Sequence, residues 1–210
     1  MLMKEPLRIL VLAPHTDDGE WGCGASMARL IEEGHEVNYL AFSSCRNSLP
    51  EGLPEDTLVK ECHNSLSQLG MKPMEILNYD VRYFSYHRQE ILEDLVKINK
   101  SYKADLVFTP CSNDYHQDHQ TIYNESLRAF RHANILGYEL IWNNIKMLTT
   151  FFISFEERHL EKKIAALLQY ESQKSRPYHN ENFIRSLAYT RGTQMGKSHA
   201  EAFELIKWTI

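Results

Sequence analysis

The chain has 210 residues, of which 43% are hydrophobic and 24% charged, and its formal net charge at pH 7 is −5. This length and composition predict one globular domain over residues 1–210 with a well-buried core. No apolar run approaches the roughly 18 residues of a membrane-spanning helix, and a negative charge without a basic stripe argues against nucleic acid as a partner.

The N-terminal residues lack the separate basic and apolar regions of a signal peptide. Cys23, Cys45, Cys62 and Cys111 are scattered along the chain without a CxxC pair. This spacing favours reduced thiols over a disulfide framework or a cysteine-rich zinc site. We therefore expect a soluble, cytoplasmic protein with no integral membrane segment, and a homo-oligomer stays an open alternative.

The first predicted element is a strand over residues 8–13, an apolar run that ends in Pro14 and a polar loop. A helix is expected over residues 25–33, where apolar residues have helical spacing and Gly34 forms a C-terminal cap. Strands and helices then alternate. The expected ranges are 37–42 for a strand, 54–69 for a helix, 75–78 for a strand, 91–98 for a helix and 105–109 for a strand.

This alternation predicts an α/β protein with a mostly parallel, doubly wound sheet and helices on both faces. Beyond the fourth strand we expect a helix over 117–131, strands near 137–142 and 148–154, and a helix that opens with the capping box Ser154-Phe155-Glu156-Glu157. The tail predicts a loop at 175–178, a short helix at 183–189 and a final strand or edge segment at 203–208.

Two polar clusters follow the first and the fourth predicted strands. In a doubly wound sheet these two strands lie side by side where the winding direction reverses, and ligands bind outside their carboxyl ends. The clusters are therefore expected to share one crevice. The first contains His15, Asp17 and Asp18, and the second contains Asp114, His116, Asp118 and His119.

The residue types in these clusters predict a metal centre. The adjacent carboxylates of Asp17 and Asp18 repel each other unless a positive charge lies near them. Catalytic zinc uses three histidine or carboxylate ligands and leaves one position for water. The residues His15, Asp18 and His119 fit that description.

The remaining polar residues have expected roles around the metal. Asp17, next to a ligand yet free, is expected to accept a proton from water as a general base. His116 is expected to hold a proton and donate to a developing oxyanion. Asp114 or Asp118 is expected to orient one of the histidines and to favour the charged form of His116.

Simpler interpretations stay open for each cluster taken alone. Asp17 and Asp18 are also good helix-capping residues. His116 and His119 are also compatible with the first turn of a solvated helix. The joint occurrence of both clusters at neighbouring strand ends favours the metal site.

Both clusters resemble the paired motifs of the LmbE-like or PIG-L family of zinc-dependent N-deacetylases. The matching segments are Pro14-His15-Thr16-Asp17-Asp18-Gly19-Glu20 with Gly22-Cys23-Gly24, and Tyr115-His116-Gln117-Asp118-His119. The resemblance covers nearly the whole chain. It implies a Rossmann-like three-layer α/β/α fold and a Zn²⁺ cofactor, with Fe²⁺ or another divalent metal as alternatives.

The resemblance also implies a reaction, namely removal of the acetyl group from an N-acetylated amino sugar of the N-acetylglucosamine type, free or in a glycoconjugate. By motif position, it implies that His15, Asp18 and His119 are zinc ligands. It likewise implies that Asp17 is the general base and that His116 stabilises the oxyanion.

The residues that contact substrate are less well defined by the sequence. Leu58 stands where many family members have a substrate-contacting arginine. Arg46, Arg82 and Tyr83 lie in loops that we expect to face the crevice, where they are either substitute contacts or plain solvated residues.

Two rival functions stay open. One is the same amide hydrolysis on a non-sugar N-acyl metabolite. The other is a non-catalytic, doubly wound nucleotide-binding protein. The loop after the first strand has no Gly-x-Gly-x-x-Gly pattern, and its carboxylates would repel a phosphate, which argues against the second rival.

Overall fold

The computed structural model of the protein describes residues 6–209. Its strands are β1 (Arg8–Ala13), β2 (Glu36–Ala41), β3 (Glu75–Ile76), β4 (Leu106–Pro110), β5 (Asn134–Tyr138), β6 (Phe151–Phe155) and β7 (His199–Lys207). Its helices are α1 (Asp18–Glu32), α2 (Thr57–Gln68), α3 (Arg88–Tyr102), α4 (Gln117–Ala129), α5 (Glu157–Leu167) and α6 (Glu181–Gln194). Within the described range, each helix is too short or too polar to cross a bilayer.

The strands form one seven-stranded sheet in the order β3-β2-β1-β4-β5-β7-β6. β1 pairs in parallel with both β2 and β4, so the winding direction reverses between β1 and β4. Only β7 runs antiparallel to its neighbours, β5 and β6. The predicted mostly parallel, doubly wound sheet is therefore confirmed, and the two polar clusters start from adjacent strand ends.

The side chains of β1 show how the two faces of the sheet are covered. Ile9 and Val11 belong to the core beneath α1, α2, α5 and α6. Leu10 and Leu12 point to the other face and pack into the core beneath α3 and α4. Burial on both faces explains why β1 is a continuous apolar run, and it confirms the three-layer α/β/α arrangement.

Helix α1 begins at Asp18, well before the predicted start at residue 25. Two glycines let this early segment approach the sheet closely. A Cβ atom on Gly19 would lie 2.4 Å from the ring of Tyr39, and one on Gly22 would lie 2.3 Å from the ring of Tyr138. Because glycine is a poor helix former, the sequence pattern does not indicate a helix here.

The predicted capping box at residues 154–157 is wrong. Ser154 pairs with Ala200 inside the sheet, so it belongs to β6 and cannot cap a helix. Helix α5 starts later, and the backbone N–H of Glu156 donates to Nδ1 of His159 at 3.1 Å.

The last predicted element, a final strand or edge segment at 203–208, is a strand, but it is longer than predicted and does not lie at the edge of the sheet. β7 starts at His199 and lies between β5 and β6, hydrogen-bonded on both sides. This pairing joins segments far apart in the chain, and local periodicity carries no information about it.

Candidate metal centre and active site

The two polar clusters meet at the carboxyl ends of β1 and β4, in a cavity of about 330 Å³. The loop after β1 and the start of α1 supply one side of the cavity floor. The loop after β4 and the start of α4 supply the other. Segments that lie far away in the sequence complete the walls, among them Leu58, Arg82, Trp142, Asn143, Gln173, Arg176 and Tyr178.

Three donor atoms on the cavity floor form a nearly equilateral triangle. Nδ1 of His15 lies 3.1 Å from Oδ2 of Asp18, and Nε2 of His119 lies 3.2 Å from the same oxygen. The two ring nitrogens are 3.2 Å apart. Zinc bonds of about 2.0–2.1 Å in a tetrahedron place neighbouring ligand atoms about 3.3 Å apart. The donor set therefore fits a small divalent ion.

Each of the two imidazoles in the triangle is oriented by a carboxylate behind it. Oδ2 of Asp118 lies 3.0 Å from Nε2 of His15, and Oδ2 of Asp114 lies 2.8 Å from Nδ1 of His119. These contacts leave the other ring nitrogen of each histidine facing the triangle. A metal-ligating histidine commonly has such a carboxylate partner, which fixes its tautomer and raises its basicity.

The pKa values show how strongly this group attracts positive charge. Burial by itself would lower the pKa of His15, but Asp18 and Asp118 outweigh it and raise that pKa to about 9. In the same way Asp18 and Asp114 overcome the effect of burial and raise the pKa of His119 to about 10. The carboxylates thus favour the protonated form of both rings.

Metal uptake should therefore release protons. A ligating imidazole must be deprotonated, so at pH 7 we expect binding of a divalent ion to release protons and to become tighter as the pH rises. Calorimetric titration with Zn²⁺ in buffers of different ionisation enthalpy measures the number of protons released. Release of no protons at pH 7 would show that these two rings are not the ligands.

Asp17 lies beside the triangle with its carboxylate free of helix capping. Asp17 occupies the position directly before α1, yet its side chain makes no capping hydrogen bond. Instead, the indole N–H of Trp21 donates to Oδ2 of Asp17 at 3.2 Å. Burial and the neighbouring charge of Asp18 raise the pKa of Asp17 to about 6. A general base is most effective with a pKa near the working pH.

His116 is placed differently from what the sequence predicts. The carboxylates expected to keep it protonated make their short contacts with the other two histidines, and Oδ2 of Asp118 lies 3.9 Å from Nδ1 of His116. Burial, followed by the charges of His119 and His15, lowers the pKa of His116 to about 4. The backbone N–H of Asp118 donates to Nδ1 of His116 at 3.2 Å, so a neutral ring carries its proton on Nε2. His116 is thus suited to donate as a neutral imidazole.

A second set of possible ligands shares two members with the first. Ring nitrogens of His15, His116 and His119 all lie within 4.8 Å of one another. The set with Asp18 has spacings between 3.1 and 3.2 Å, close to those of a tetrahedral zinc site. The geometry therefore favours Asp18 over His116 as the third ligand.

The loop that carries His15 and Asp17 is held in place by a buried polar network that the sequence reasoning missed. The hydroxyl oxygens of Tyr39 and Tyr170 lie 2.9 and 2.7 Å from the carbonyl oxygen of Thr16. Both also contact the carboxyl group of Glu20, whose pKa burial raises to about 7. A glutamate in the glycine-rich first turns of α1 was the available sequence signal.

The three predicted substrate contacts lie in different surroundings. Arg82 lines the cavity, whereas Arg46 and Tyr83 are not among the residues that line it. Arg46 instead lies 3.5 Å from Asp80 in an exposed ion pair, and Tyr83 packs beside Tyr86. The wall residues that sequence reasoning missed come mainly from the segments around residues 142 and 176.

Comparison with known proteins identifies the family. Residues 10–130 match the PIG-L family, described as GlcNAc-PI de-N-acetylase. The chain is also 34% identical over 170 residues to the uncharacterized deacetylase YaiS of Escherichia coli (strain K12), covering 78% of this chain and 90% of that protein.

Solved structures share the fold. The N,N'-diacetylchitobiose deacetylase of Pyrococcus horikoshii has a TM-score of 0.77 at 22% identity, covering 96% of this chain and 84% of its own. GalB, the 4-carboxy-2-hydroxymuconate hydratase of Pseudomonas putida KT2440, has a TM-score of 0.77 at 16% identity, covering 96% and 97%. Since one of these neighbours is a hydratase, the fold alone does not determine the reaction.

The family assignment rests on sequence and not on shape. The matched range 10–130 contains both polar clusters, and the relative at 34% identity covers most of the chain. The chain therefore belongs to the PIG-L family and is a deacetylase, a hydrolase of amide bonds.

Proposed function

We propose that the protein is a Zn²⁺-dependent N-deacetylase that removes the acetyl group from an N-acetylated amino sugar, free or in a glycoconjugate. The observation that carries the proposal is the triangle of donor atoms from His15, Asp18 and His119, with spacings of 3.1 to 3.2 Å, beside the carboxylate of Asp17. Support for an amino-sugar substrate comes from the family description and from the chitobiose deacetylase with the same fold.

The residues of the chain divide the work of amide hydrolysis. A divalent ion, when bound by the triangle, supplies Lewis acidity that polarises the acetamide carbonyl and acidifies water. Asp17 takes the proton of the attacking water, and the indole of Trp21 holds that carboxylate in place. The Nε2–H of His116 donates to the oxyanion of the tetrahedral intermediate. The proton held by Asp17 is then available to the departing amine.

A substrate panel tests the proposal. The metal-loaded protein is incubated with N-acetylglucosamine in free, nucleotide-linked and lipid-linked forms, with diacetylchitobiose, and with N-acetyl amino acids, and released acetate is measured. We expect release from at least one sugar and little from the amino acids. Release from the amino acids alone would indicate that the substrate is a non-sugar N-acyl metabolite. No release from any compound would count against the proposed reaction.

His116 provides a separate prediction because two roles are open to it. As an oxyanion donor, His116→Ala should keep the bound metal and lose about 10² or more in turnover. As a metal ligand, the same variant would lose the metal. Metal content by elemental analysis and kcat on the best substrate of the panel distinguish the two, with wild-type protein measured in parallel. Near-normal turnover in a metal-loaded variant would remove His116 from the reaction.

The cellular setting is part of the same proposal. We infer that the enzyme acts in the reducing cytoplasm on a small molecule. All four cysteines are free and buried, which supports a protein made without disulfides.

A further inference from the structure

The arginines of the chain differ in whether they have an acidic partner. Eight of the eleven form an ion pair with a carboxylate among residues 6–209. The three that form none there are Arg82, Arg131 and Arg176. Two of these three, Arg82 and Arg176, line the active-site cavity. In a protein with a net charge of −5, this pair of unmatched cations at one cavity is unexpected.

Arg82 is held in an unfavourable backbone conformation that fixes its position relative to the metal site. Its φ angle is 75°, in the left-handed region that favours glycine. The backbone N–H of Arg82 donates to Oδ2 of Asp118 at 2.6 Å, and the same oxygen contacts Nε2 of His15 at 3.0 Å. One carboxylate therefore couples the backbone of Arg82 to a metal ligand.

Arg176 lies in a loop from another part of the chain that is also anchored. The amide and hydroxyl groups of Ser172 donate to Glu61 at 2.9 and 2.6 Å. The ring of Tyr178 stacks on Trp142 at a centroid distance of 3.7 Å. The guanidinium of Arg176 makes one hydrogen bond, to the side-chain oxygen of Gln173 at 3.4 Å, which leaves most of its donors unused.

The charges around the cavity separate into two regions. The carboxylates among the lining residues are those of Asp17 and Asp18, and both belong to the reacting group on the floor. The two arginines are exposed and lie on loops of the wall. A guanidinium binds phosphate and carboxylate groups with paired hydrogen bonds. A ligand that reaches from the floor to the wall thus meets cations there.

We propose that Arg82 and Arg176 bind an anionic group, a phosphate or a carboxylate, on the part of the substrate that does not react. The inference rests on the proposed function, because it takes the acetamide to lie at the metal centre. It narrows the substrate from N-acetylated amino sugars in general to those that carry an acidic substituent or aglycone. Arg46, which is already paired with Asp80, has no part in this recognition.

The test measures binding separately from turnover. The metal-loaded Asp17→Asn variant is titrated by calorimetry with N-acetylglucosamine, with its 1-phosphate and 6-phosphate, and with a hydroxy-acid glycoside of N-acetylglucosamine alongside its neutral methyl ester. We expect at least one anionic compound to bind about tenfold or more tightly than its neutral counterpart, as charge-assisted hydrogen bonds predict. Comparing the phosphate compounds with the hydroxy-acid glycoside shows which of the two anionic groups the protein binds.

Variants then assign the preference to the two arginines. On the Asp17→Asn background, Arg82→Gln with Arg176→Gln should reduce the anionic-to-neutral affinity ratio to near one. Arg131→Gln is the matched control, since Arg131 also lacks an ion pair within residues 6–209 but precedes β5, at the amino ends of the parallel strands and away from the cavity. Thermal unfolding of each variant confirms that it is folded.

Two outcomes would overturn the inference. One is that no anionic compound binds more tightly than its neutral counterpart. The other is that the preference survives in the double arginine variant, which would place the anion on the metal. Failure of the proposed function is seen separately, as tight anion-dependent binding without any acetate release by the wild-type enzyme.

Discussion

Replacing His119 by alanine is expected to remove both metal binding and deacetylation. The triangle of donor atoms would keep two of its three corners, and Asp114 would lose the ring that it orients. Loss of an outer partner of a metal ligand already costs about 10- to 100-fold in affinity, so loss of the ligand itself should cost more. The same result is expected for His15→Ala and Asp18→Ala.

Competition with a chromophoric chelator measures these affinities, and acetate release measures activity. His132→Ala is the matched control, because His132 is exposed in the turn between α4 and β5, away from the carboxyl ends of the strands. Asp114→Asn should give an intermediate loss of affinity. Full metal content in all three ligand variants would rule out this site.

Replacing Asp17 by asparagine is expected to have a different effect, a loss of turnover with the metal retained. Asparagine has nearly the same shape and keeps an oxygen for the indole N–H of Trp21, but it cannot accept a proton from water. Loss of a general base typically lowers the rate by about 10² to 10⁴. We therefore expect kcat to fall by this factor while chelator competition gives the wild-type affinity.

Trp21→Phe provides the matched comparison for Asp17→Asn. It removes the hydrogen bond to Asp17 but leaves the carboxylate, so its loss of kcat should be smaller. A metal-loaded Asp17→Asn protein with near-normal turnover would show that another group accepts the proton.

Some features of the fold and of the candidate site were determined by the sequence alone. A strand buried on both faces is apolar along its buried length, so residues 9–13 of β1 can be identified from the sequence. The regular alternation of strands and helices then requires a mostly parallel sheet. The reversal of winding between β1 and β4 brings both polar clusters to the carboxyl ends of these two strands, as expected, and the triangle of donor atoms forms there.

Other features were decided only by the tertiary structure, because they depend on contacts between residues far apart in the chain. The first turns of α1 are helical because Gly19 and Gly22 fit against tyrosines of β2 and β5. Local spacing could not reveal that β7 would be inserted between β5 and β6.

The protonation of the site is likewise a tertiary property. The sequence places Asp114 and Asp118 next to His116, but folding turns both carboxylates toward His119 and His15. The position of the two arginines at the cavity also depends on the tertiary structure. Arg82 and Arg176 are 94 positions apart in the sequence and converge on one cavity because loops from both halves of the chain close over the same strand ends. Local sequence pattern determines which residues are apolar or polar, whereas long-range packing determines which polar groups face one another.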